Sequence, residues 1–147
     1  KVVLAHGELY VDLLIYDTGL TNPKIAEKAK AEGVTRKTQI VADSAEPKSI
    51  AELNNLGLWV VPTLKGKDSI LLGIDILQRY KINVTRRSTA LIEELQSYKW
   101  EENKDGKKTN KPIDDFNHAI DALRYFAIMK LNVRRRSSPK AHYNRLD

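Results

Sequence analysis

Hydrophobic and polar positions change period several times along this chain, and each change marks an element. Leu9, Val11, Leu13 and Ile15 alternate with Tyr10, Asp12, Leu14 and Tyr16, which predicts a half-buried strand over Glu8–Tyr16. A shorter apolar run, Lys1–Leu4, precedes it across His6-Gly7, so the chain is expected to open on two strands. Asp12 falls on the more polar face and is expected to be solvated. A helical period follows. Asn22 caps a helix with Pro23 at its first position, and Gly33 stops it. Ile25, Ala26, Ala29 and Lys30 form its expected inner side.

The two periods then alternate. Gln39–Asp43 is a short strand ending in an acid, and Pro47–Leu56 is a helix closed by Gly57. Leu58–Val61 is a buried strand that Pro62 ends. Asp68–Tyr80 is a helix with Ile70, Leu71, Ile74 and Leu77 on one face. Ile82–Val84 is a brief strand, and Ser88 caps a helix reaching Ser97, with Leu91, Ile92 and Leu95 inward. Tyr98–Trp100 reads as a strand. Glu101–Pro112 is a polar excursion with a hairpin turn signal at Asp105-Gly106. The last helix runs from about Asp115 to Leu131. Ile113, Phe116, Ile120, Leu123, Ala127 and Leu131 give it an apolar face at steps of three and four. Asp114 and Asp115 sit at the end where the helix dipole favours acids. Phe126 and Met129 lie off that face, so the helix is expected to be buried on more than one side.

Two strands followed by helix–strand alternation imply an α/β domain over residues 1–131, a mixed sheet flanked by helices. Residues 132–147 carry no apolar period and are expected to form a basic flexible tail.

Composition narrows the function classes. The 147 residues are enough for one domain with its own core. The chain has no cysteine, which excludes disulfides and thiolate metal sites. No apolar run approaches the roughly 18 residues of a membrane span, and no membrane partner is expected. The opening on Lys1 suggests a segment of a longer polypeptide. The net charge is +6, much of it in the tail, where Arg134, Arg135, Arg136, Lys140 and Arg145 face only Asp147. A polyanion partner fits this charge, as does an ordinary solvated end.

Candidate chemistry concentrates in two places. Asp43 ends an apolar strand, the usual site geometry of α/β sheets, although a turn acid after a strand reads equally well. His118 and Asp121 are three apart on the final helix and share a face. A carboxylate that close to a core is costly unless paired or bound to metal, and Arg124 is an available partner for Asp121. Acyl chemistry fits poorly, because no serine lies in a nucleophile elbow. A zinc site fits poorly too, because His6 and His142 lie at the two ends of the chain. Hard oxygen ligands suit Mg2+ or Mn2+. Two such ions about 3.5–4 Å apart can activate water and stabilise a leaving oxygen in phosphodiester hydrolysis. Lys65-Gly66-Lys67 lacks the spacing of a phosphate-binding Walker loop.

Three stretches resemble a known family. Val41-Ala42-Asp43-Ser44-Ala45-Glu46-Pro47, Gly66-Lys67-Asp68-Ser69-Ile70 and His118-Ala119-Ile120-Asp121-Ala122-Leu123-Arg124-Tyr125 look like the C-terminal nuclease domain of the large terminase subunit of tailed bacteriophages. The resemblance covers about Glu8 to Leu131. It implies a ribonuclease H-like fold and a divalent-metal-dependent endonuclease that cuts concatemeric viral DNA during genome packaging, using two Mg2+ or Mn2+ ions. It also implies double-stranded DNA, a terminase ATPase domain, a small terminase subunit and a portal as partners, in the cytoplasm of a bacterial host. By that likeness Asp43 is the second catalytic acid, Asp121 the third, and His118 the histidine beside the metals. Lys65 and Lys67 are expected to touch the DNA backbone. The family's first acid lies on its first strand, whereas Lys1–Leu4 matches its second. The first strand and its Asp are therefore expected to be missing, leaving this chain a weak or inactive enzyme. Two alternatives stay open: a non-catalytic DNA-binding or motor-docking module, and another ribonuclease H-like nuclease such as a resolvase or integrase.

Overall fold

The chain opens on a hairpin whose turn, His6-Gly7, has positive φ at both positions (51° and 77°), the backbone that tight two-residue hairpins require. The computed structural model describes residues 1–112 and 117–132. In it β1 (Val2–Ala5) pairs antiparallel with β2 (Glu8–Val11), with Ala5 opposite Glu8. β2 stops at Val11, short of the predicted Tyr16. The Leu13 N–H donates instead to Ser88 Oγ at 2.8 Å, and the Asp12 carboxylate is taken by Arg87, with Nε 2.8 Å from Oδ1 and a terminal nitrogen 2.6 Å from Oδ2. Thr85 adds a 2.7 Å hydrogen bond to Asp12. The acid expected to be solvated is therefore clamped, and these long-range bonds draw the chain out of the ladder.

Helix α1 (Asn22–Ala31) starts at the Asn-Pro pair and buries Ala26 and Ala29. Lys30, expected on the inner side, is exposed, and its Nζ reaches the carbonyl of Leu56 at 2.7 Å. β3 (Gln39–Ala42), α2 (Pro47–Asn55) and β4 (Trp59–Pro62) make a parallel β-α-β unit, with Ile40 opposite Val60. Asn54 ties that unit together, because its side-chain amide exchanges two 2.9 Å hydrogen bonds with the backbone of Val60. Helix α3 (Ser69–Leu77) buries Gly73, Ile74, Ile76 and Leu77. Ile70, expected inward, is exposed. β5 (Ile82–Val84) returns parallel to β2, and α4 (Thr89–Ser97) follows. Ser88 precedes α4 as expected, but its hydroxyl makes no cap bond, since it serves Leu13. The polar excursion is a hairpin, β6 (Trp100–Glu102) and β7 (Lys108–Pro112). Helix α5 (His118–Phe126) continues as a π-helical segment, Ala127–Leu131. Asp114 and Asp115 lie outside the described residues.

The expected single mixed sheet is thus present in pieces among the described residues. β1-β2-β5 is mixed and β3-β4 is parallel. Each packs on its own core cluster. One core cluster gathers Leu9 and Val11 of β2 with Ile76, Leu91, Ile120 and Leu123 of the helices. A second joins Ala26, Ala29, Leu58 and Val60, with Ile15 packed against it. Arg87 also pairs with Glu32 at 3.1 Å.

Candidate functional site

Asp43 follows β3 directly, at the carboxyl end of a parallel strand. Its backbone turns at once, and the Ala45 N–H donates to Oδ1 at 2.8 Å. Two further donors converge on the carboxylate. Lys65, from the loop after β4, places Nζ 2.5 Å from Oδ1, and Tyr125 of α5 donates its hydroxyl to Oδ2 at 3.0 Å. Lys65, the Ala45 amide and Tyr125 together hold the Asp43 carboxyl below its ordinary range. The Tyr125 phenol is pushed up to about 12, by burial first, then by its bond to Asp43 and the charges of Asp43 and Asp121.

Asp121 lies one helical turn before Tyr125 on α5, and its charge acts on the phenol. Asp121 is ion-paired with Arg124. That guanidinium is only 4% exposed. The acid therefore has the partner that its neighbour Arg124 offered, and it also faces open space. It lines a cavity of about 630 Å³ with Gly66, Asp68, Ser69 and Arg124. His118 is exposed on the first turn of α5. Lys67 is exposed on the loop that carries Lys65, and Lys65 also sits 5.9 Å from the centre of the Tyr125 ring.

Glu94 is the residue that sequence reasoning passed over. It lies on α4, is 3% exposed, and points at the start of α5. Its carboxylate accepts the N–H groups of Ala119 at 3.1 Å and Ile120 at 2.9 Å, and the Tyr16 hydroxyl at 2.8 Å. These bonds satisfy two of the donors that a helix start leaves open and set a negative charge against the positive end of the dipole. Glu94 thereby fixes the turn that carries His118 and Asp121. A faint signal was available: Glu94 falls between Leu91 and Leu95 on the predicted inward face of its helix.

The donor set suits a hard divalent cation. Asp43 and Asp121 supply carboxylate oxygens, and a lysine and an arginine now neutralise them. Among the described residues no group of three acids or histidines stands close enough to hold a metal.

The arrangement of β-α-β unit, hairpin and closing helix is that of a ribonuclease H-like domain. The manganese-bound nuclease domain of the large terminase g2p from bacteriophage SPP1 superposes with a TM-score of 0.73 at 24% identity, covering 82% of this chain and 70% of that one. The large terminase of a thermophilic bacteriophage, in complex with ADP, gives a TM-score of 0.70 at 24% identity over 89% of this chain. A further structure of that thermophilic phage terminase gives 0.68 at 25% identity over 88% of this chain. This chain spans about a third, 35%, of the thermophilic phage protein. Residues 1–128 match the Terminase RNAseH like domain family, and the chain belongs to it. No curated protein sequence matches this chain.

Proposed function

We propose that this domain is the DNA endonuclease of a viral genome-packaging terminase, hydrolysing phosphodiesters of concatemeric double-stranded DNA with the aid of Mg2+ or Mn2+. The supporting observation is the hydrogen bond that ties Asp43, at the end of β3, to Tyr125 of α5, one helical turn from Asp121. Asp43 and Asp121 would hold the cation. When bound, the metal supplies an activated water and charge stabilisation at the leaving oxygen.

The chain's own residues do the rest. Ala45 and Tyr125 orient the Asp43 carboxylate by donating one hydrogen bond to each oxygen. Lys65 balances its charge and is placed to meet a DNA phosphate once Asp43 turns to a cation. Lys67 extends the same basic loop. Glu94 holds the α5 start, so His118 and Asp121 are presented on a fixed helical turn. His118, exposed beside Asp121, is placed to exchange a proton with water or a leaving oxygen. An ATPase motor, a small terminase subunit and a portal are the proposed partners, and the host cytoplasm the proposed location.

Mn2+ titration by calorimetry tests this reading. Asp43→Asn and Asp121→Asn each preserve side-chain shape, and each is expected to weaken Mn2+ binding at least tenfold. Nicking of supercoiled plasmid in Mn2+, by a longer chain that restores the family's first strand and its acid, is expected to fall with them. Unchanged Mn2+ affinity in both variants would overturn it. A second reading has one observation in its favour: Lys65 and Arg124 already neutralise both acids, as a non-catalytic DNA-binding or motor-docking module would keep them. That module would bind DNA with strong salt dependence and the same affinity in Mn2+ or EDTA.

A further inference from the structure

We propose that Thr63 is a positioning residue for Asp43: when a divalent cation takes the place of Lys65, the Thr63 hydroxyl donates to the Asp43 carboxylate and fixes its orientation toward the metal. The inference rests on the nuclease reading and deepens it.

The parallel ladder sets the two residues side by side. Ile40 stands opposite Val60, and Ala42 opposite Pro62. The Thr63 N–H still bonds to the Ala42 carbonyl at 2.8 Å, so the register carries one row further and Thr63 falls opposite Asp43. Adjacent strands lie about 4.7–4.9 Å apart, and residues in one row point the same way. What covers each face shows which way that is. Ile40, Ala42 and Val60 pack into the core cluster of α1. Side chains alternate along a strand, so Gln39, Val41 and Asp43 turn to the other face with Val61 and Thr63. That face lies under the last helix, since Tyr125 reaches Asp43 and Lys130 reaches Gln39.

Thr63 is anomalous as an ordinary strand residue. It is 3% exposed, and its Oγ1 has no hydrogen-bond partner. A buried hydroxyl without a partner is destabilising, and a valine would fill the same space without that penalty. Asp43 has the complementary capacity. Its carboxylate offers about four acceptor sites, and three donors use them: Ala45, Lys65 and Tyr125. A donor without an acceptor thus lies beside an acceptor with room. Lys65 holds the carboxylate from the loop after β4, with Nζ 2.5 Å from Oδ1. A cation bound at that oxygen repels the ammonium. The carboxylate is then free to turn toward its own row of the ladder, where Thr63 completes the set that Ala45 and Tyr125 begin. A ligating carboxylate oriented by such hydrogen bonds holds its metal more tightly.

Mn2+ calorimetry and metal-free melting of the same variants test the proposal. Thr63→Val keeps the shape and removes the hydroxyl. It is expected to weaken Mn2+ binding about tenfold, the scale of the groups that orient metal ligands, while the melting temperature in EDTA holds or rises. Thr63→Ser keeps the hydroxyl and is expected to bind Mn2+ nearly as the unmodified chain does. A purely structural role would move stability and affinity down together, so the split between them is the signature. A metal-free melting temperature that falls in Thr63→Val, or a variant that no longer folds, would overturn the proposal, because the hydroxyl would then already serve the fold. Equal losses of Mn2+ affinity in Thr63→Val and Thr63→Ser would overturn it as well. Asp43→Asn, measured alongside, separates this inference from the metal reading. Mn2+ binding weakened by Asp43→Asn and untouched by Thr63→Val overturns the positioning role alone. Binding untouched by both overturns the two together.

Discussion

Glu94 of α4 accepts the Ile120 N–H at 2.9 Å, so a carboxylate from one helix terminates the open start of another. The bond joins elements 26 residues apart in sequence, and it sits beneath the turn that presents His118 and Asp121. Removing the carboxylate strands the N–H groups of Ala119 and Ile120 in a buried place. Glu94→Ala is expected to cost about 2–3 kcal/mol in urea unfolding. Glu94→Gln, which keeps one acceptor oxygen, should cost less. A loss below about 1 kcal/mol for the alanine variant would contradict the capping role.

Tyr125→Phe removes the hydroxyl bound to Asp43 and leaves the ring in place. A stability loss of about 1 kcal/mol is expected in thermal melts. Mn2+ affinity should also change, because Asp43 loses one of the donors that orient it. Identical melting and identical Mn2+ titration would show that the phenol positions nothing.

Lys65→Met removes a cation 2.5 Å from Asp43. Mn2+ binding is expected to tighten about fivefold, since a competing positive charge is gone. Duplex binding should weaken in the same variant, because the proposed phosphate contact of the loop is removed. Opposite signs on the two affinities are the diagnostic. Parallel changes would indicate general damage to the site.

Asp12 links pH to stability. Arg87 first, then Thr85, hold its carboxyl well below the ordinary value of 3.8. A depressed acid contributes its stabilisation above that ordinary value and loses it as pH falls below. Denaturant midpoints measured from pH 6 down to pH 2 should therefore fall less steeply in Asp12→Asn than in the unmodified chain. Parallel curves would mean that the clamp adds no acid sensitivity.

The elements that sequence patterns located are those whose causes are local. Asn22-Pro23 starts α1, His6-Gly7 turns the first hairpin, and the Ile40 to Ala42 run forms β3 next to the residues that stop it. The two candidate acids, Asp43 and Asp121, were also legible, because an acid closing a buried strand and an acid on a mostly apolar helix are both anomalies that a sequence displays. Where β2 ends was not legible. Leu13 and Ile15 continue the alternation, but Ser88 and Arg87, far along the chain, withdraw the backbone from the ladder.

The sequence by itself determined the alternation of strands and helices, the absence of thiol chemistry and the positions of the candidate acids. Tertiary structure alone decided that Lys65 and Tyr125 meet on Asp43, that Arg124 is buried with one N–H unused, and that Glu94 caps a helix it does not belong to. Periodicity reports which face of an element is buried, because that follows from backbone geometry. It does not report which charged group will lie opposite, because that depends on how distant elements pack.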